Sequence, residues 1–265
     1  MHTLAPAALI GVRTLTATPL LFLVASRRGI FTVKWPDLAK LAGLAFLGVT
    51  ANQLLFAEGL RRAGAVHAVV LVVLIPVLTL LIAVVTGGEK ANVWRVAGVS
   101  VALIGAGGVI EIERFDVSSE TFIGDLLLLS NALCYAIYLV KVRPVIARVN
   151  ALVVIAWVFL FGALLALPWT IPAMRNTDWQ AVSPRTWATV GFIILGPTCG
   201  AYALNAYALK RVDASVVAVF VALQPFVGAI AAWLLLGDTV SVRTAISGGI
   251  LIAGVFVASR GEKQV

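Results

Sequence analysis

The sequence predicts an all-α polytopic membrane protein built from two inverted helical repeats, and three observations carry that prediction. The 265 residues are 61% hydrophobic and only 12% charged, with a mean hydropathy of +1.04. A water-soluble domain carries about twice that share of charge. Apolar stretches of about 20 residues, each long enough to cross a bilayer, follow one another along the chain. The chain also aligns with itself at an offset of 149 positions, which brings Pro76 onto Pro225.

Nine spans are expected, at 5–25, 38–57, 67–86, 94–110, 122–142, 151–170, 187–208, 214–236 and 242–259. The first carries Arg13, roughly 12 Å into its span at 1.5 Å per residue. The second carries Asn52 and Gln53. The third, HAVVLVVLIPVLTLLIAVVTGGEK, has Pro76 near its middle and closes on Gly88-Glu89. Gly98, Ala102 and Gly105 give the fourth a small-residue face, which suits close helix packing. A connecting loop at 111–121 leads to the fifth span.

In the fifth span Asn131, Tyr135 and Tyr138 are spaced i, i+4, i+7, and so share one helical face. The sixth is apolar throughout. The seventh repeats the same spacing with Thr198, Tyr202 and Asn205. The eighth carries Gln224 before Pro225, and Gly237-Asp238 at its end. The ninth has Gly248, Gly249 and Gly254, followed by a short tail at 261–265.

The offset aligns the second through fourth spans with the last three without a gap. It places Arg61-Arg62 on Lys210-Arg211, Gly88-Glu89 on Gly237-Asp238, and Gly105 on Gly254. Valine and leucine matches are cheap in such a composition; the proline, the glycine-acid pair and the basic pair are not. The second copy holds five spans, an odd number, so tandem copies face opposite ways, as in secondary transporters. The first copy holds four, so the partner of span 122–142 would precede Met1.

Charge sets the orientation. With the C-terminus inside, thirteen of the twenty Lys and Arg residues lie in inside segments and six in outside ones, Arg13 being within a span. That excess predicts a cytoplasmic C-terminus. The net charge of +8 sits in short loops where it orients spans, so no nucleic-acid partner is expected. The predicted partners are membrane lipid and a small-molecule substrate. Cys134 and Cys199 lie inside spans with no metal or disulfide spacing. No nucleophile with a base, phosphate loop or metal cluster is present, so neither an enzyme nor a cofactor is expected.

The segments LAPAALIGVRTLTATPLLFLV, FAEGLRRAGAVHAVVLVVLIPVLTLLIAVVTGGEKANVWRVAGVSVALIGAGGVI and ALKRVDASVVAVFVALQPFVGAIAAWLLLGDTVSVRTAISGGILIAGVFVAS resemble EamA-type members of the drug/metabolite transporter superfamily. The resemblance covers nearly the whole chain. It implies a first EamA-like repeat at 1–110 lacking its usual first helix, and a second at 122–260. Family members typically have ten helices in two inverted five-helix repeats and move metabolites, often outward, across a bacterial inner membrane. The resemblance therefore implies export of small organic metabolites such as amino acids, by alternating access through a central cavity. A non-transporting scaffold or a truncated, degenerate transporter is the alternative.

Buried polar residues on spans face protein or water. Asn131, Tyr135, Tyr138, Thr198, Tyr202, Asn205, Gln224 and Gln53 are the candidate substrate contacts; interhelical hydrogen bonding is the competing role. Pro76 and Pro225 are candidate cavity-shaping or hinge positions. Arg13 is a buried charge that pairs with Glu58 or Asp125, snorkels toward the membrane surface, or meets an anionic group of a substrate. His67 is expected at the interface, and Glu89 and Asp238 as turn or cap residues.

Overall fold

A computed structural model describes residues 4–29, 33–90, 92–109, 121–227, 230 and 242–260. The connecting loop at 111–120, Gly237-Asp238 and the tail at 261–265 lie outside the described residues. Six helices are long and apolar enough to cross a membrane, and three shorter apolar helices accompany them. The architecture is all-α polytopic among the described residues.

The chain forms α1 (Pro6–Ala25), α2 (Trp35–Ala45), α3 (Asn52–Val72), α4 (Ile75–Val85), α5 (Val93–Val109), α6 (Phe122–Arg148) and α7 (Ala151–Arg175). These are followed by α8 (Pro184–Ile193), α9 (Ala201–Leu209), α10 (Ala214–Val221) and α11 (Val242–Arg260). Two π-helical segments, Phe46–Ala51 and Ile194–Gly200, join α2 to α3 and α8 to α9. Helix α3 is broken at Gly64, whose φ of 88° no branched side chain adopts comfortably.

Contacts divide the chain into two compact units. Unit 1 holds residues 1–57 and 141–211; unit 2 holds 58–140 and 212–265. These units do not coincide with the sequence repeats at 1–110 and 122–260. Each takes a piece of both repeats, because offset-equivalent helices pack on one another: α1 with α7 in unit 1, and α5 with α11 in unit 2.

Unit 1 is held by apolar packing of α1, α2, α9 and the first π segment around α7, while the second π segment packs on α1. Helix α7 buries Val153, Val154, Ile155 and Phe159 almost completely. Gly162 lets α7 approach the first π segment, since a Cβ there would stand 2.7 Å from Val49. Thr50 ties the two together by donating to the Gly162 carbonyl at 3.0 Å.

Unit 2 is built on the α5–α11 pair. Cβ atoms at Gly98 and Gly254 would each collide with the facing backbone, so the two small-residue faces are in direct contact. Val99, Ala102, Ala106, Leu251 and Val255 fill the seam. Dispersion between closely approaching backbones is the main attraction available in lipid, where apolar burial gives little.

The two prolines have the same local setting. Helix α3 stops at Val72 and α4 restarts at Ile75, with Pro76 as its second residue. Helix α10 stops at Val221, and a helical segment restarts at 224 with Pro225 as its second residue. The hydrogen bonds repeat as well. Leu74 donates to Leu71 as Leu223 does to Phe220, both at 3.1 Å, and Leu78 to Leu74 as Val227 does to Leu223, at 3.0 and 2.9 Å. Each pair is related by the 149-residue offset. A proline in the first turn of a helix removes no hydrogen bond, so the break lies ahead of the proline and the ring stabilises the restart.

Candidate functional site

The polar residues of unit 1 gather where the two π segments end. Gln53 follows the first π segment and Tyr202 the second, and the repeat offset places one on the other. The structure brings these equivalents together: the Tyr202 hydroxyl lies beside the Gln53 side chain. That hydroxyl donates to the carbonyl of Gly48, inside the first π segment, at 2.9 Å. Phe159 meets the Tyr202 ring edge-on at 4.9 Å and holds its orientation. π segments recur at functional positions because they displace backbone and side chains from regular helical phase.

Arg13, on α1, completes the cluster. Its guanidinium lies within electrostatic reach of Tyr202, and α1 packs against the second π segment. The Arg13 Nε is buried and makes no hydrogen bond among the described residues. Gln53 is 6% exposed, and its amide lies against the Tyr202 hydroxyl without a well-aligned hydrogen bond from either its oxygen or its nitrogen. The sequence offers Glu58 and Asp125 as ion-pair partners for Arg13, and the structure assigns both elsewhere. Glu58 binds Arg61 and Arg62, each at 2.6 Å. These two arginines hold its carboxyl down to about 2. Asp125 binds His67 at 2.7 Å.

The remaining candidates fall in several places. Asn131, Tyr135 and Tyr138 are buried on α6 in unit 2, with the two tyrosine rings stacked at 5.9 Å. Thr198 is fully buried and donates to the Ile193 carbonyl, five residues back. It belongs to the π turn, and the i, i+4, i+7 stripe read from a regular helix does not extend through it. Asn205 is half-buried and Gln224 is exposed. Pro76 is buried in α4 and Pro225 is half-buried.

Unit 2 has an ionic centre that the sequence reading did not single out. Arg95 is 3% exposed. It binds Asp213 and approaches Glu89 at 3.5 Å. Glu89 also accepts from the backbone N–H of Ser215 at 3.2 Å and from the Ser215 hydroxyl. Glu89 therefore caps a helix, as expected of it, but the helix is α10 rather than its own. His67 is 7% exposed and paired with Asp125. A signal was available for Arg95, since an arginine in the first turn of an apolar helix needs an acid nearby.

Several known proteins are similar to this chain. A protein of Archaeoglobus fulgidus described as an uncharacterized transporter is 29% identical over 95% of this chain and 87% of its own length. A protein of Streptantibioticus cattleyicolor described as a probable terminal-alkyne amino-acid exporter is 27% identical over 94% of this chain and 82% of its own. A solved crystal structure, 20% identical, superimposes with a TM-score of 0.83 over 98% of this chain and 89% of that one, which establishes the fold. Residues 1–110 and 122–260 match the EamA-like transporter family. The chain is an integral membrane protein belonging to that family, within the drug/metabolite transporter superfamily.

Proposed function

We propose that this protein is a secondary transporter that exports small organic metabolites, amino acids among them, by alternating access. Its membrane is the bacterial inner membrane, with the C-terminus in the cytoplasm, as the excess of inside Lys and Arg predicts. The observation that carries the reading is the unit 1 cluster. Buried polar groups in a membrane helix normally satisfy one another. Gln53 and Arg13 instead leave hydrogen-bonding capacity unused beside Tyr202, at the place where offset-equivalent segments of the two repeats meet. The exporter named among the relatives supports the amino-acid class and the outward direction. The matched breaks before Pro76 and Pro225 supply hinges at equivalent places in oppositely oriented repeats.

The test is solute flux in proteoliposomes loaded with labelled amino acids and related metabolites. Wild type should give protein-dependent flux, and Gln53→Ala, Tyr135→Ala and Asn205→Ala should slow it. Unchanged rates and affinities in all three variants would remove these residues from the path. Absence of any protein-dependent flux would favour the non-transporting scaffold.

A further inference from the structure

The polar atoms left open in unit 1 are the Arg13 Nε and both ends of the Gln53 amide, its nitrogen and its oxygen. Arg13 is a guanidinium, a planar donor with no acceptor. The amide of Gln53 has two N–H donors and an acceptor oxygen, and the oxygen suits the ammonium that an α-amino acid carries beside its carboxylate. Nothing anionic faces the cluster among the described residues: Glu58 and Asp125 are bound elsewhere, and Tyr202 directs its proton to Gly48. A cationic group at this place would meet the Arg13 charge in a medium of low dielectric, where repulsion is screened far less than in water. A compact anion with two acceptor oxygens would satisfy both Arg13 and the Gln53 N–H groups.

From this geometry we infer that the cluster is a carboxylate subsite: Arg13 and Gln53 grip the carboxylate of the transported solute, and Tyr202, held by Gly48 and Phe159, forms the wall beside it. The inference rests on the transporter reading above and deepens it by naming the group that every good substrate must carry. The substrate class is a monocarboxylate or an α-amino acid. Amines and carboxamides of the same shape are excluded. Guanidinium prefers carboxylate because its paired N–H groups match the spacing of the two oxygens, so lysine at position 13 would keep the charge and lose the fork.

The subsite also explains why the chain tolerates an arginine roughly 12 Å inside a span. An arginine that stabilised the fold would be paired in the resting protein. One reserved for a ligand is left open, and removing it should relieve the empty protein rather than weaken it.

The experiment measures thermal unfolding of the detergent-purified full chain, and flux in proteoliposomes, for wild type, Arg13→Lys and Arg13→Gln. The probes are a pool of aliphatic, aromatic and hydroxy amino acids, and the same pool as carboxamides. The expected result is that the acids raise the wild-type melting temperature and the amides do not. Arg13→Gln should lose the response with about a tenfold or greater fall in apparent affinity, the scale of a charge-assisted hydrogen bond. Arg13→Lys should retain part of it. Without probe, Arg13→Gln should melt no lower than wild type. Equal protection by the amides, no protection by either pool, an intact response in Arg13→Gln, or a ligand-free variant that melts well below wild type would each overturn the carboxylate subsite. Flux of the amides without flux of the acids would overturn it and leave the transporter reading standing. Flux of neither pool would count against both.

Discussion

Two arginines, one half-buried in unit 1 and one buried in unit 2, are treated in opposite ways. In unit 2, Arg95 is 3% exposed and its terminal nitrogens meet Glu89, Asp213 and the Lys90 carbonyl. In unit 1, Arg13 has a buried Nε without a partner and no acid beside it among the described residues. The Arg95 Nε is also unpartnered, so the contrast lies in the neutralising carboxylates. Removing charges from water is expensive, and only close, well-bonded partners offset that cost. Unit 2 meets the requirement internally, which marks Arg95 as part of the scaffold. Unit 1 leaves it unmet, which fits a residue whose partner arrives from solution.

Substitutions at the two centres should therefore behave differently, and Arg95 should give the largest change. Arg95→Gln leaves two carboxylates in or near the protein interior and should destabilise by about 3–5 kcal/mol, read as a lower melting temperature and loss of folded protein. If it melts like wild type, the ionic centre is not structural. Glu89→Ala comes next. It removes both acceptors from Ser215 and one acid from Arg95, and should cost about 2–4 kcal/mol by the same measurement.

Unit 1 should show the reverse pattern. Thr50→Val loses one hydrogen bond, to Gly162, and should cost about 1 kcal/mol without altering ligand response. A larger loss would mean that the π segment depends on that contact. Gln53→Leu should leave stability unchanged or raise it, because it replaces two unsatisfied buried polar atoms with an apolar group of similar size.

The smallest effect belongs to Glu58, in the connection at 58–66 outside the predicted spans. Its carboxyl is lowered to about 2 by Arg61 and Arg62. A lowered folded value stabilises above the ordinary carboxylate range and is lost as pH falls through that range toward about 2. The pair is solvent-exposed, so screening leaves little of it. Glu58→Gln should flatten only a shallow acid slope in the melting temperature, and a steep change would mean that this surface cluster is coupled to the packed core.

Much of the fold was legible in the sequence because it depends on length and repetition. Apolar runs mark the helices, and the 149-residue offset links the prolines and the glycine faces, whose local settings match in the structure. The site was less legible, for a physical reason. Helical-face arguments assume 3.6 residues per turn, and the polar stretches at Asn52-Gln53 and at 198–205 follow or pass through π segments that break that count. Thr198 therefore turned back to Ile193 instead of joining Tyr202 and Asn205. Gln53, read from its own span, gave no reason to prefer a cavity over packing. The offset that aligned Pro76 with Pro225 also aligns Gln53 with Tyr202, and would have paired them. The ionic centre escaped notice because Arg95, Glu89 and Asp213 come from different turns and helix ends, a grouping that only tertiary contact creates.

The most direct test of the contrast between scaffold and ligand site is the pairing of melting temperature with solute flux in Gln53→Leu. The expected result is a protein at least as stable as wild type whose amino-acid flux in proteoliposomes falls about tenfold or more. A variant that transports normally but melts several degrees lower would place Gln53 in the scaffold and contradict the assignment of the unit 1 cluster to substrate.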